Sequence, residues 1–211
     1  MVPRRSRLET GLPCRQIRAD VNGAIVVAAS PPTDGAAKFL CDGMLARLCR
    51  FLRAAGYDTE IAGVTEHDRK LLERAIEEGR LLLTCDRELA QRRLARGRVI
   101  VLPSNGLDQT AFALDYAVSI NWLLAPFSRC LVDNTRLRTA NQEEHQRLPE
   151  RVREIGREDA SLCPACDLIY WPGSHVRRML KRLSRWQTAR ASSPWRLSDR
   201  LVQHRSSFRT E

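Results

Sequence analysis

The spacing of apolar residues changes character at Lys38. From there to Ile120, short apolar runs alternate with stretches in which apolar residues recur every three or four positions. Phe39-Leu40-Cys41 predicts a buried strand over 38–42 that stops on an acid, Asp42. Gly43 turns the chain. Met44, Leu45, Leu48, Phe51 and Leu52 then mark the apolar face of a helix over 44–55, closed by Gly56. A strand over 58–62 follows, then a helix opened by Thr65 with the stripe Leu71, Leu72, Ala75, Ile76. Leu81-Leu82-Leu83, within a strand over 80–84, is apolar on both faces, as a central parallel strand requires. A helix over 86–95, a strand over 98–102 and a helix over 108–120 complete the series. Strands alternating with helices of this length predict an α/β fold, a parallel sheet with helices on both faces.

After Leu124 the alternation breaks. Pro126, Asn134, Asn141, Pro149, Gly156, Pro164 and Pro172-Gly173 punctuate a loop-rich segment that holds Cys130, Cys163 and Cys166. A basic helix runs from Ser174 to Trp186. Residues 187–211 are rich in Arg and Ser and poor in apolar side chains, the composition of a disordered tail. Residues 1–36 read as a flexible or partly ordered leader, with a strand signal around Asn22-Gly23. The chain thus divides into a leader (1–36), an α/β domain (37–125), a cysteine module with a basic helix (126–186) and the tail (187–211).

A net charge of +10 points to a polyanionic partner, nucleic acid before others. No run reaches the ~18 apolar residues of a membrane span. The basic start lacks the apolar core of a signal peptide, so the cytoplasm is the expected compartment. Thiols stay reduced there, and seven cysteines then suggest metal ligation or buried thiols before disulfides.

Two acids end equivalent strands: Asp42 after FLC and Asp86 after LLLTC. In a doubly wound sheet such ends lie where ligands bind. Converging carboxylates suit Mg²⁺ or Mn²⁺, which can activate water against a phosphodiester. Each Asp also suits a helix N-cap. Asp68 is a weaker third acid, placed where a capping box with Thr65 explains it equally well, and Asp108 opens its helix as another candidate cap. Arg47, Arg50 and Arg53 recur every three residues on the first helix, and Arg87 follows Asp86. These are either a solvated face or phosphate contacts. On the last helix Arg177, Arg178, Lys181, Arg182 and Arg185 form a second basic face.

Cys163-Pro-Ala-Cys166 has the spacing of a zinc knuckle, and Cys130-Leu-Val-Asp133 lies about 30 residues upstream, as a zinc ribbon requires. Asp133 stands where a fourth thiolate is expected; His145 or His175 are the alternatives for that place. Cys14, Cys41, Cys49 and Cys85 are scattered, as small buried hydrophobes are.

FLCDGMLARLCRFLRAAGYDT, EEGRLLLTCDRELA, SRCLVDNTRLR and CPACDLIYWPGSH, in that order, resemble the Mut-seven C-terminal RNase domain family between Lys38 and Arg185. The resemblance implies a PIN-like nuclease domain over 37–125, an appended zinc ribbon and a metal-dependent ribonuclease acting on RNA. By position it makes Asp42 and Asp86 acidic site residues, with a third acid in the stretch around Glu66 and Asp68. It makes Cys130, Cys163 and Cys166 ribbon ligands for Zn²⁺. Two departures qualify it: LLTCD stands for the family's LLTRD, placing Cys85 where an Arg is usual, and Asp133 replaces a cysteine. Those departures fit an alternative, a non-catalytic RNA-binding or ribosome-associated protein with a decayed nuclease site. Relatives often carry an N-terminal ubiquitin-like domain, and the short leader is a candidate remnant of one.

Overall fold

The computed structural model describes residues 37–63, 66–92, 95, 97–153 and 160–191, and the backbone of two short strands, β1 (Asp20–Val21) and β2 (Ala24–Ile25). Those two pair antiparallel on either side of Asn22-Gly23. The rest of the expected leader, the tail beyond residue 191, Cys14 and the cap at Thr65 lie outside the described residues.

The α/β layer contains β3 (Phe39–Cys41), α1 (Ala46–Ala55), β4 (Thr59–Ile61), α2 (Asp68–Glu77), β5 (Leu81–Thr84), α3 (Arg87–Gln91), β6 (Val99–Val101) and α4 (Leu107–Val118). The sheet order is β4-β3-β5-β6, every pair parallel. The expected fold class is observed. The alternation of strand side chains sorts the two faces. Phe39, Cys41, Leu81, Leu83 and Ile100 pack on one face with Leu48 and Leu52 of α1 and Leu114 of α4. Leu40, Leu82 and Val99 pack on the other with Leu71, Leu72 and Ala75 of α2 and Leu89 of α3. A fully buried Leu contributes about 1.5–3 kcal/mol, so these two layers dominate the stability of the domain.

Several elements differ from the sequence pattern. The first turn after Asp42 is a 3₁₀ turn, Gly43–Leu45, before α1 begins. At three residues per turn it swings Met44 out of the apolar face, and Met44 is 71% exposed. The helix expected over 86–95 stops at Gln91, because Arg92 turns extended. Gly56 ends α1 in the left-handed region (φ 104°), and a Cβ there would sit 2.6 Å from the Ala125 carbonyl oxygen, so both conformation and crowding demand glycine.

The second module is a three-stranded antiparallel sheet, β7 (Arg138–Thr139), β8 (Ser161–Leu162) and β9 (Ile169–Tyr170), with α5 (Gln142–Gln146) and α6 (Glu150–Arg153). Asn141 and Glu144 form a capping box at α5. A small core of Ala140, Leu148, Ala160 and Leu162 holds it together. The final helix, α7 (Ser174–Ala191), packs on α1 and α4 of the first module, although it follows the second in sequence. Its Met179, Leu183 and Trp186 enter the larger core, where the Trp186 ring packs at a tilt 4.7 Å from Trp122 and 5.0 Å from Phe51. This packing carries the helix past its expected end at Trp186, and Gln187 Oε1 accepts from the Trp122 N–H at 2.8 Å.

Candidate active site and metal centre

The strand order decides where the acids meet. β3 connects outward to β4, whereas β4 connects back across β3 to β5. The β3/β5 junction is therefore the switch point of the sheet, the place where ligands bind in open α/β folds. Asp42 follows β3 and Asp86 follows β5. The Asp42 N–H donates to the Leu83 carbonyl at 2.9 Å, which fixes the two strand ends side by side.

A residue the sequence reading passed over joins the acids. The Thr84 hydroxyl donates to Asp42 Oδ2 at 2.8 Å, and its oxygen accepts from the Asp86 N–H at 3.0 Å. Thr84 is fully buried at the end of β5, so its rotamer is set by the core. Both acids also serve as caps: Asp42 Oδ1 accepts from the Met44 N–H (3.3 Å) and Asp86 Oδ1 from the Glu88 N–H (2.8 Å). Capping and ligation are compatible, because an ionised carboxylate has about four lone-pair sites. Cys85, between Thr84 and Asp86, packs half-buried against the larger core. Burial, and then the charge of Asp42, push its thiol pKa up.

The third acids are spoken for. Asp68 begins α2, and its Oδ2 accepts from Arg92 at 2.7 Å. Glu66 accepts from the Gly63 N–H (3.0 Å) and pairs with Arg74 (3.1 Å). Asp108 is a clamp: it accepts from Arg182 at 2.9 Å, from Trp186 Nε1 at 2.8 Å and from Arg185.

The basic stripes are corrected in part. Arg47 and Arg50 are exposed on α1, and Arg87 is exposed beside Asp86. Arg53 is buried, with only 3% exposed. Its Nε donates to the Thr59 carbonyl (2.7 Å) and its Nη1 to the carbonyls of Leu131 (3.2 Å) and Val132 (2.6 Å). It is a strut between the two modules, not a phosphate contact. On α7, Arg177, Arg178 and Lys181 are exposed, whereas Arg182 and Arg185 are held by Asp108.

The cysteine module brings together a compact set of side chains that could hold a metal ion. Sγ of Cys130, Cys163 and Cys166 and a carboxylate oxygen of Asp133 lie within 4.8 Å of one another. Cys130 and Cys166 sulfurs are 3.6 Å apart, and Cys163 Sγ lies 3.2 Å from Asp133 Oδ2. Tetrahedral zinc with bonds of about 2.3 Å to sulfur brings ligand atoms this close. The two halves repeat one turn. Cys130 N–H donates to Thr135 O, and Cys163 N–H to Leu168 O; Asn134 N–H returns to Cys130 O, and Asp167 N–H to Cys163 O. Asn134 (φ 71°) and Asp167 (φ 61°) are both left-handed. Asp133 therefore occupies in the first turn the place of Cys166 in the second. His145, on α5, and His175, the second residue of α7, are not members of the set.

Hydrogen bonding within the set shifts its protonation equilibria in opposite directions. Burial alone would raise Asp133, but the bonds it accepts, from Cys166 first, hold its pKa below the ordinary carboxylate range. The same contact raises the Cys166 thiol to about 12. A metal taking that thiolate displaces its proton. Outside the ligands, Tyr170 Oη lies 3.2 Å from Cys130 Sγ and accepts from the Leu131 N–H at 3.0 Å, so β9 supports the first turn.

The first turn is also docked on the sheet. Asn134 Oδ1 accepts the Thr59 N–H (3.0 Å), and its Nδ2 donates to Asp58 (2.8 Å) and Glu60 (2.9 Å). β4 is an edge strand, and Asn134 covers a free donor on that edge.

The family model of the Mut7-C RNAse domain matches residues 37–183. The chain belongs to this family. No curated protein and no solved structure matches it. The match spans both modules and ends within α7, which makes the sheet-edge acids and the cysteine set parts of one Mut7-C domain. An RNase domain assigns RNA as the class of substrate. Among the described residues no helix is long and apolar enough to cross a membrane.

Proposed function

We propose that this Mut7-C protein is a metal-dependent ribonuclease that hydrolyses RNA phosphodiester bonds at Asp42 and Asp86. One observation supports this above others: two aspartates follow adjacent strands at the switch point of the sheet, and Thr84 bonds the carboxylate of Asp42 and the backbone N–H of Asp86. Mg²⁺ or Mn²⁺ held by these carboxylates would supply activation of water and neutralisation of phosphate charge. The chain's own residues do the rest. Thr84 holds Asp42 by a hydroxyl donor and keeps its carboxylate oriented. Arg47 and Arg50, exposed on α1, and Arg87, next to Asp86 in the chain, carry guanidinium groups that suit phosphate oxygens. Zn²⁺ at Cys130, Asp133, Cys163 and Cys166 has a structural role, and Arg177, Arg178 and Lys181 add backbone attraction. The expected compartment is the cytoplasm, where reduced thiols remain available to metal.

Asp68 enters this scheme as a third acid only if its pair with Arg92 opens. Both partners are close to half exposed, and such pairs contribute about 0–1 kcal/mol, so opening is inexpensive. That pairing, and Cys85 beside Asp86, are the specific observations favouring the second reading, an RNA-binding protein without catalysis.

The deciding assay uses purified full-length chain and labelled single-stranded RNA, with added Mn²⁺ or Mg²⁺. The expected result is cleavage that drops about 100-fold or more in Asp42→Asn and in Asp86→Asn. Cleavage that is absent in the wild type, or survives both substitutions, rejects the nuclease reading. Binding without cleavage supports the second one.

A further inference from the structure

The motif YWPGSH, at the junction of β9 and α7, is not used by either centre except through Tyr170. It lines a cavity of about 560 Å³ between α6 and the start of α7, with Pro149, Arg151 and Val152 on the opposite side. We infer that this cavity is a subsite for one unstacked nucleotide of single-stranded RNA, the base against Trp171 and its phosphates toward Arg151 and Arg177. The inference rests on the reading of the chain as acting on RNA.

Three features argue for it. The volume is in the range of sites for small ligands, about 300–1,000 Å³, and suits a single base with its ribose and phosphate. The wall is of two kinds: apolar surface from Pro149, Val152 and Trp171, and cationic side chains, Arg151 and Arg177. Among the described residues the charged side chains that line it are the two arginines, which suit an anion. An aromatic ring with arginines alongside is the arrangement by which single strands are held, because every base has a π-face and every linkage a charge. A duplex offers no free base of this kind.

The motif's own residues hold the wall in shape. A Cβ on Gly173 would lie 2.8 Å from Trp171 Nε1, so the indole folds back over the turn only because residue 173 is glycine. Arg177 Nη1 donates to the Pro172 carbonyl at 3.0 Å, which keeps its guanidinium at the mouth. Ser174 and His175, the first residues of the 18-residue helix α7, also line the cavity and bring the positive end of its dipole to the same place. Tyr170 joins this wall to the cysteine set through its hydroxyl, 3.2 Å from Cys130 Sγ.

The experiment measures binding of a fluorescein-labelled eight-nucleotide oligouridylate to the full chain without added Mn²⁺ or Mg²⁺, so that it does not depend on cleavage. Trp171→Ala and Arg151→Ala are each expected to weaken binding by about 10-fold, the range of one base stack or one phosphate contact. Trp171→Phe keeps a ring and recovers most of the affinity. Arg138→Ala removes the same charge from the same module, away from the cavity, and changes the dissociation constant less than about twofold. Zinc content and melting temperature identify any variant that fails to fold, and Arg151→Ala, exposed on a short helix, carries the test if Trp171→Ala does. The inference is overturned if Arg151→Ala, and Trp171→Ala where it folds, bind as Arg138→Ala does. It is also overturned if the wild type binds no oligonucleotide. In the first case the nuclease reading stands or falls separately, on the Asp42 and Asp86 cleavage assay.

Discussion

Arg53 and its neighbours show what one residue contributes. Arg47, Arg50 and Arg53 share a spacing of three and read in sequence as one stripe. At about 100° per residue, however, Arg53 lies about 120° around the helix from Arg47. The stripe therefore rotates into the core, and helix geometry alone could have separated its members. Removing this buried guanidinium takes a donor from three carbonyls and the 3.8 Å partner from Glu60, a loss of about 3–5 kcal/mol. Arg53→Ala should lower the urea midpoint accordingly, and Arg53→Lys should recover less than half, because an ammonium cannot reach Thr59 and Val132 with the same fork. Arg47→Ala and Arg50→Ala should shift stability by less than about 0.5 kcal/mol. On the nuclease reading each instead lowers the salt slope of RNA binding by about one. An unchanged midpoint for Arg53→Ala would remove the strut.

Among the elements, α7 departs furthest from its sequence signature. Its charge suggested a surface for RNA, yet two of its arginines and Trp186 converge on Asp108 at the start of α4. The guanidinium of Arg182 also lies 5.8 Å from the rings of Phe51 and Trp186. Pairing by partner cannot be read from a one-dimensional charge pattern, since Asp108 and Arg182 are 74 positions apart. The clamp has a pH signature. The Arg182 bond first, with those from Arg185 and Trp186, holds Asp108 well below the ordinary carboxylate range, against a smaller opposing effect of burial. A depressed folded pKa stabilises the fold above the unfolded value, near pH 4, and that stabilisation is lost as pH falls toward the folded value. Asp58 acts in the same sense at the module junction: burial raises it, but Arg80 and Asn134 more than offset that. The melting temperature of the wild type should therefore fall between pH 5 and pH 3. Asp108→Asn should begin lower and lose less over that interval, with the emission of buried Trp186 shifted to the red at neutral pH. Equal losses in the two proteins would mean that Asp108 does not hold α7 by charge. The strands of the parallel sheet, by contrast, were legible to within a residue or two, because burial leaves apolar runs such as Leu81-Leu82-Leu83, whereas the two-residue strands β7, β8 and β9 carry no such run and read as loop.

At the scale of the whole molecule, the two centres are built on one frame. The sequence placed Asp42 and Asp86 at strand ends and the cysteine pairs at knuckle spacing, since those signals are local. It could not place Thr84 between the acids or Asn134 on the edge of β4, because both depend on strand order. Nor could it show that Arg53, Asn134 and Tyr170 tie the first metal turn to the sheet on one side and to β9 on the other. This tie has a thermodynamic consequence. Metal bound only by the folded turns stabilises the fold by RT ln(1 + [L]/Kd), about 2.7 kcal/mol at a hundredfold excess over Kd. At about 2–4 °C per kcal/mol for a chain of this size, chelation should lower the melting temperature of the whole chain by about 5–11 °C. Because Arg53 and Asn134 dock the turn on β4, the loss should appear as one shifted transition. The ligand set also sets the affinity. Asp133 offers oxygen at the position where the second turn offers Cys166, and a soft sulfur donor would hold zinc more tightly there. Asp133→Cys should retain the fold, since the turn is already that of a knuckle, and should tighten zinc binding about tenfold or more in competition with a chromogenic chelator. Elemental analysis should find one zinc in the wild type and less than about half an equivalent in Cys163→Ser. If Asp133→Cys binds no more tightly than the wild type, the carboxylate is not a ligand, and the fourth place belongs to water or to a residue outside the two turns.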